Sequence, residues 1–303
     1  MKPFLKWAGG KSRLVPRIAP LLPPSERLIE PFAGSGAVFM GIVRREYLLT
    51  DVNADLIALY RALVSEPVSF IERCRALFVP SNSEQGAYAA LRERFNGLEQ
   101  GDPDRASVFV YLNRHCFNGL CRFNAKGRFN VPFGRPATAP YFPEREMLAF
   151  SAKGSSATFE ARSFEWAMGQ ARAGDVVYCD PPYVALSETA SFDAYAAGGF
   201  SFASQQELAR LSAALGQRGI TVVVSNHDTP ETRALYEGAL LIELNVRRSI
   251  SADGGKRGKT AELFAVYGPA TPAAVALNLA QSSGDAGQDD LARKSAPELA
   301  EAA

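Results

Sequence analysis

The stretch from Arg27 to Asp51 constrains the fold more than any other. A short apolar run, Arg27–Glu30, enters the loop Pro31-Phe32-Ala33-Gly34-Ser35-Gly36, followed by a helical pattern over Ala37–Arg45 and a second apolar run, Tyr47–Thr50, that ends in Asp51. Strand, Gly-rich turn, helix, strand and acid form the opening of a nucleotide-binding α/β fold, in which glycine backbone and free helix amides approach a ligand. The third glycine of the dinucleotide fingerprint is missing, because Val38 and Phe39 occupy its region. That weakens a pyrophosphate site, while Asp51 stays well placed to hold a ribose diol. A nucleoside ligand without a pyrophosphate fits better, and S-adenosylmethionine is one. A tight structural turn is the alternative, since a Gly-x-Gly turn alone is weak evidence.

The rest of the chain extends this pattern. Helical spacing returns at Leu56, Leu59, Tyr60 and Leu63 and persists to about Val110, after which residues from about Asn113 to Phe142 read as irregular. Val176–Cys179, Ile220–Val224, Leu240–Val246 and Leu263–Tyr267 read as strands, and Leu208, Leu211 and Leu215 mark a helix. The reading is one α/β sheet built from residues 1–53 and 143–270, with a helical and irregular insertion at 54–142. From Thr271 to Ala303 large apolar groups are few, which predicts a mostly disordered tail with at most a short marginal helix.

Composition removes other classes. With 303 residues, 47% hydrophobic and 21% charged, the chain suits a core plus one sizeable insertion and is neither fibrous nor wholly disordered. The net charge of +1 hides an acidic end, with five acids and two bases beyond Pro269. A nucleic-acid partner must therefore be read from local patches. No apolar run approaches the roughly 20 residues of a membrane span. Four cysteines and no secretory pattern at Met1–Lys11 point to the cytosol without a disulfide framework. Cys116 and Cys121 lack a second ligand pair at finger spacing, and the histidines are His115 and His227, so no metal site is expected.

The sharpest chemical signal is Asp180-Pro181-Pro182-Tyr183, directly after the run Val176–Cys179. Open α/β sheets place ligands at the carboxyl ends of their strands. Here a carboxylate, the Pro181 carbonyl and a flat ring lie within four residues, which suits a planar amine: two acceptors for its N–H bonds and a ring for its face. A capped Pro-Pro turn is the plainer possibility. A second signal lies between Asp104 and Glu144, which enclose no acid. Arg114, Arg122, Lys126, Arg128 and Arg135 there alternate with Tyr111, Phe117, Phe123, Phe129, Phe133, Tyr141 and Phe142. Such a segment can neutralise phosphates, read base edges and wedge into a duplex, or be a solvated loop over an aromatic minicore. Arg247, Arg248, Lys256, Arg257 and Lys259 bracket Gly254-Gly255 and read as a hairpin or loop near phosphates.

Asp-Pro-Pro-Tyr with Phe32-Ala33-Gly34-Ser35-Gly36 upstream resembles the amino-methyltransferases that act on adenine N6 in DNA. Further strings resemble the Dam-type DNA adenine methylases: Phe4-Leu5-Lys6-Trp7-Ala8-Gly9-Gly10-Lys11, Asn118-Gly119-Leu120-Cys121-Arg122, Phe129-Asn130-Val131-Pro132-Phe133-Gly134, Ser225-Asn226-His227-Asp228 and Arg247-Arg248-Ser249-Ile250. They occur in the family's order and span roughly Lys2 to Tyr267. The resemblance implies a Rossmann-like, S-adenosylmethionine-dependent methyltransferase sheet of about seven strands, mixed in direction, with an inserted DNA-recognition domain. It implies methyl transfer to adenine N6 in double-stranded DNA, in GATC, with S-adenosylhomocysteine as product. A base inside the stack is unreachable, so the adenine is expected to flip into the Asp180–Tyr183 pocket. The implied donor site comprises Trp7, Lys11, Glu30, Phe32, Gly34, Gly36, Asp51, Ser163, Phe164 and Asp180. Implied DNA contacts are Lys6, Phe117, Asn118, Leu120, Arg122, Asn124, Asn130, Pro132, Arg135, Arg247 and Arg248. Phe117 stands where that string of the family usually carries Tyr. No membrane and no obligate protein partner are implied, and the expected location is the cytoplasm, on the nucleoid through DNA. His227 reads as a structural hydrogen-bonding residue, because methyl transfer to an amine needs no histidine. A cytosine-N4 methylase shares the logic of the motif. A nicotinamide dehydrogenase leaves it unexplained, and an intact Asp180–Tyr183 argues against a DNA-binding module without catalysis.

Overall fold

The computed structural model describes residues 2–183, 200–246 and 260–282; the basic patch expected at Arg247–Lys259, with Arg247 and Arg248, lies outside them. The strands are β1 (Arg27–Glu30), β2 (Glu46–Thr50), β3 (Ala157–Glu160), β4 (Asp175–Cys179), β5 (Thr221–His227), β6 (Leu240–Val246) and β7 (Thr260–Tyr267). The helices are α1 (Val15–Ile18), α2 (Ala37–Gly41), α3 (Ala54–Ser65), α4 (Pro67–Arg75), α5 (Gln85–Gly97), α6 (Pro103–His115), α7 (Glu144–Gly154), α8 (Phe164–Gly169), α9 (Phe202–Gln217), α10 (Pro230–Leu235) and α11 (Pro272–Ser282). The strands form a seven-stranded sheet of order β3-β2-β1-β4-β5-β7-β6. It is the mixed, Rossmann-like α/β sheet that the sequence predicts. No helix among the described residues is long and apolar enough to cross a membrane. Contacts divide the chain into two compact units: Met1–Val15 with Ala33–Ser163, and Pro16–Phe32 with Phe164–Ala303.

In the first unit β2 and β3 pair in parallel, Leu49 opposite Phe159. β3 has no counterpart among the predicted strands. Of its four residues only Phe159 is buried, so no alternation survives to be read. α3 starts at an Asn53 cap, whose side chain accepts from the Leu56 amide at 3.1 Å, and buries Leu56, Leu59, Tyr60 and Leu63. Asp55 on this helix meets Arg105 on α6 in a two-pronged ion pair of 2.6 and 2.8 Å. The same guanidinium donates to the Phe95 and Leu98 carbonyls and lies 4.0 Å above the Phe95 ring. One half-buried cation thus ties α3, α5 and α6 together, and removing it would strand the buried Asp55 carboxylate.

His115, at the end of α6, is buried at 1% exposure, stacks on Tyr111 at 4.0 Å and has Nδ1 2.9 Å from the Tyr111 carbonyl. Burial drives its pKa down from 6.5 to about 4, with Lys6 and Arg114 adding to the shift and the Tyr111 carbonyl opposing it. The fold therefore favours the neutral ring. Its contribution is complete above about pH 6.5 and is lost as pH falls toward 4, a difference of at most about 3 kcal/mol. Unfolding free energy in His115→Gln should fall less steeply between pH 6.5 and 4.5 than in the parent; parallel curves would show that His115 is not the group involved.

In the second unit β1, β4 and β5 run parallel, and β7 turns antiparallel to β5 with β6 antiparallel beyond it. Arg27 and Asp175 face each other in register and close a 2.6 Å ion pair that sets the offset of β1 on β4. Val222, Val223 and Val224 of β5 are fully buried, as the continuous apolar run requires.

The tail expectation needs correction over 272–282. The short helix allowed there is not marginal, because α11 docks on β6: Ala274 is fully buried, and Asn278 donates to the Leu241 carbonyl at 2.7 Å. Gln281 accepts from the Glu243 amide at 2.9 Å and donates to the Glu243 carbonyl at 2.7 Å. Thr271 donates to the Pro20 carbonyl at 2.6 Å and caps Ala274. These amides satisfy the outer edge of β6, so docking relies on hydrogen bonds more than on the large apolar groups whose scarcity suggested disorder. A chain ending at Pro269 should melt at least about 4 °C below one ending at Ser282, the shift that roughly 2 kcal/mol produces in a domain this large. Equal melting temperatures would show that α11 adds nothing.

Candidate active site and nucleic-acid interface

The Asp180–Tyr183 segment leaves the carboxyl end of β4 in the second unit. Register places Cys179 opposite Val224, so Asp180 comes to lie beside Ser225, whose hydroxyl donates to Asp180 Oδ1 at 2.9 Å. Gln205 of α9 donates to the Pro182 carbonyl at 2.7 Å; Asn226 holds Gln205 at 3.2 Å and donates to the Tyr236 hydroxyl at 2.9 Å. The Pro182 carbonyl is thus engaged, whereas among the described residues no donor reaches the Pro181 carbonyl. Tyr183 donates its hydroxyl to Glu262 Oε2 at 3.2 Å, and its ring stands edge-on to His227 at 4.7 Å. Burial, then Asp180 and Glu262, raise the Tyr183 pKa well above its usual value and keep the phenol protonated. In the same unit Phe32 stacks on Phe164 at 5.6 Å with Phe200 edge-on to both, and Glu30 is buried at the end of β1.

In the first unit the Gly-rich turn is built around Asp51. Its carboxylate accepts from the Gly34 amide at 3.1 Å and the Asn53 amide at 2.9 Å. Burial raises the Asp51 pKa, with these two amides pulling it back. Each carboxylate oxygen retains a second lone pair, so the group can still accept from a diol. Gly34 adopts φ +46°, and a Cβ there would stand 3.0 Å from Trp7 Nε1; the indole lies against the turn. The Gly34 carbonyl accepts from Tyr60. Gly36, at φ +68°, packs on Phe150. Lys11 is buried at 4% exposure and donates to the Gly9 carbonyl at 3.2 Å, while Ser163 is exposed. The structure therefore gathers Trp7, Gly34 and Asp51 around one turn.

The same unit carries the basic, aromatic segment. Lys6 is held by Asn113 of α6, which accepts from its amide at 2.8 Å and donates to its carbonyl at 2.7 Å. Lys6 Nζ donates to the Arg114 carbonyl at 3.1 Å, and burial followed by Arg114 lowers its pKa. Its stem packs on Gly119, where a Cβ would come within 2.2 Å of Lys6 Cβ. Gly119 and Asn118 both take positive φ, +66° and +53°. Beside them Phe117 is 46% exposed, and its amide donates to the carbonyl of exposed Pro132 at 2.9 Å. Leu120 is half-buried, its carbonyl taking the Cys116 thiol. Arg122 donates through Nε to Asn130 Oδ1 at 2.8 Å. Asn124 builds the turn between them, its side chain accepting from the Lys126 and Arg128 amides at 3.0 Å each. Arg135, at φ +46°, stands apart and donates to Gln85. Burial pushes the Cys116 thiol to about 11 and the Cys121 thiol to about 12, which leaves both as inert packing groups.

Several residues that organise these features carry no motif. Asn96 brackets Phe129, accepting from its amide at 2.8 Å and donating to its carbonyl at 3.1 Å. Tyr88 donates to the Val131 carbonyl at 2.8 Å. Asn113, Gln205 and Glu262 complete the set. The one available signal is a polar amide on an otherwise apolar helix face, as at Asn113 amid Phe109–Leu112.

The mixed sheet, the Asp180–Tyr183 segment at a strand's carboxyl end and the basic loop are features expected of an amino-methyltransferase acting on nucleic acid. The family model of the D12 class N6 adenine-specific DNA methyltransferases matches residues 7–250, and the chain belongs to that family. It is 47% identical over 273 residues to the DNA adenine methylase of Salmonella typhi, covering 89% of this chain and 97% of that protein. To the Escherichia coli K12 DNA adenine methylase it is 46% identical over 267 residues, 88% and 95% of the two chains. The corresponding figures for the Vibrio cholerae DNA adenine methylase are 45% over 267 residues, 88% and 96%. The chain is thus an adenine-specific DNA methyltransferase.

Gly119→Ala tests the loop geometry. The left-handed conformation costs an alanine about 1–2 kcal/mol before the clash with Lys6 is counted. Methylation of duplex DNA should fall at least about tenfold, the factor that 1.4 kcal/mol carries, with methyl-donor affinity unchanged. Full activity would mean that the Lys6–Gly119 contact is dispensable.

Proposed function

We propose that this chain transfers a methyl group from S-adenosylmethionine to N6 of adenine in GATC, within double-stranded DNA, after flipping the adenine out of the stack. The observation that carries the reading is the pair formed by the Asp180 carboxylate, anchored by Ser225 at 2.9 Å, and the Pro181 carbonyl, with the Tyr183 ring two residues on. On this reading Tyr183 stacks on the flipped base, and Asp180 and the Pro181 carbonyl accept the two N6 hydrogens. Those bonds draw the nitrogen toward tetrahedral geometry and release its lone pair from the ring. Asp180 then takes the proton that the amine gives up. Catalysis is positioning and electrostatics, with no covalent enzyme intermediate.

The donor set fits the proposed methyl donor. In the first unit Asp51 suits a ribose diol, Trp7 an apolar wall and Lys11 a carboxylate; in the second, Phe32 and Phe164 suit an aromatic face. Glu30, Gly34, Gly36 and Ser163 complete the proposed assignment. When bound, S-adenosylmethionine supplies an electrophilic sulfonium methyl group. Residues 1–53 and 143–270 are read as the catalytic part and 54–142 as target recognition. Double-stranded DNA is the partner, and the cytoplasm the place of action.

For sequence reading, Phe117 acts as the wedge that fills the stack. Arg122, its plane set by Asn130, meets guanine O6 and N7, and Lys6 is a second guanine contact. Asn118, Leu120, Asn124, Asn130, Pro132 and Arg135 shape or flank that surface. Arg122→Ala should relax the choice at one guanine position, a loss of discrimination of about 1–3 kcal/mol. An equal fall on GATC and all its single-base variants would make Arg122 a phosphate anchor instead.

Asp180→Ala should slow single-turnover methylation at least about a hundredfold, since roughly 3 kcal/mol rides on a charge-assisted bond to the reacting group. DNA binding should largely survive. A rate within tenfold of the parent would remove Asp180 from the reaction.

A further inference from the structure

Behind the Asp180 carboxylate lies a short hydrogen-bond chain that the transfer reaction itself does not call for. Tyr178 sits on β4, two residues before Asp180, and Ser225 lies on the neighbouring strand β5. Both are buried, at 2% and 0% exposure. The Tyr178 hydroxyl donates to Ser225 Oγ at 3.3 Å, and Ser225 Oγ lies 2.9 Å from Asp180 Oδ1 and 3.3 Å from the Cys179 carbonyl.

The direction of this chain follows from chemistry. Burial, reinforced by Asp180, raises the Tyr178 pKa well above its ordinary value, so the phenol keeps its proton and donates. A serine hydroxyl has one proton and two lone pairs. With a lone pair engaged by Tyr178, its proton goes to the nearer and ionisable acceptor, Asp180 Oδ1, in preference to the more distant neutral carbonyl. The links thus run from Tyr178 through Ser225 to Asp180, with the Tyr183 hydroxyl also at Ser225, and the β4–β5 register that brings Ser225 to Asp180 holds them in place.

We propose that Ser225 is a positioning residue for methyl transfer, backed by Tyr178: together they tie Asp180 Oδ1 to the sheet and so fix the orientation in which the carboxylate meets the target amine. This rests on the reading of Asp180 as the acceptor for that amine. Neither residue touches substrate. The contribution appears in the rate of the bound complex and leaves affinity unchanged, because rotation of one carboxylate disturbs the reacting geometry without removing a DNA or donor contact.

The experiment compares Ser225→Ala, Tyr178→Phe, their double variant and Asp180→Ala in single-turnover methylation of an unmethylated duplex at saturating DNA and S-adenosylmethionine. Dissociation constants for both ligands are measured in parallel. Ser225→Ala should slow the step about 10- to 100-fold, the range of a hydrogen bond to a charged group, with both dissociation constants within about threefold of the parent. Tyr178→Phe removes only a hydroxyl and should give a smaller loss. The double variant should be no slower than Ser225→Ala within a factor of about two, the sign of residues acting in series. Ser225→Thr, which keeps the hydroxyl, should recover most of the rate. If Ser225→Ala works within twofold of the parent while Asp180→Ala is inactive, the chain is irrelevant and Asp180 keeps its role. Losses that multiply in the double variant, or a loss seen only in affinity, overturn the serial arrangement. An active Asp180→Ala overturns the reading beneath it.

Discussion

The parallel pairing of β4 with β5, with Cys179 opposite Val224, determines what stands beside Asp180. A shift of one residue would turn Ser225 to the other face of the sheet and leave the carboxylate without its anchor. The strands can hold that register because they are buried throughout, with Val222–Val224 fully enclosed and Arg27–Asp175 locking the neighbouring β1. Beyond the strand end the prolines take over. They remove two amide donors from the segment; Gln205 engages the Pro182 carbonyl, and among the described residues no donor reaches that of Pro181. Tyr183 is then fixed through Glu262 and His227, which face each other across β5 and β7.

The first unit solves a different problem. Its basic, aromatic loop has almost no regular structure, yet an irregular backbone must still satisfy its polar groups. Side-chain amides do this work in place of a ladder: Asn96 on Phe129, Asn113 on Lys6 and Asn124 on its own turn. The arrangement leaves Phe117 and the basic side chains outward while the backbone stays defined. Asp51 applies the same economy at the Gly-rich turn, where one carboxylate ties down the amides of Gly34 and Asn53.

Much of this was legible in the sequence for physical reasons. Short unbroken apolar runs such as Val176–Cys179, closed by a Pro-Pro turn, suit a buried strand, and the spacing of Leu56, Leu59, Tyr60 and Leu63 admits one helix face. The Asp180–Tyr183 segment was legible because prolines after a strand restrict the backbone so strongly. What escaped was whatever depends on partners distant in sequence. β3 is a strand because β2 lies beside it, its own residues being mostly exposed. α11 is ordered by amides that find β6, which counting apolar groups over Thr271–Ala303 could not register. Gln205 and Glu262 look like ordinary polar residues until α9 and β7 bring them to Pro182 and Tyr183.

The central claim, that these residues direct methylation to adenine N6 within GATC, is tested most directly by mapping modified bases. DNA from a methylation-free source, incubated with the purified protein and S-adenosylmethionine, should carry N6-methyladenine at GATC on both strands and unmodified bases elsewhere. N4-methylcytosine, or N6-methyladenine spread over sites unrelated to GATC, would contradict the account.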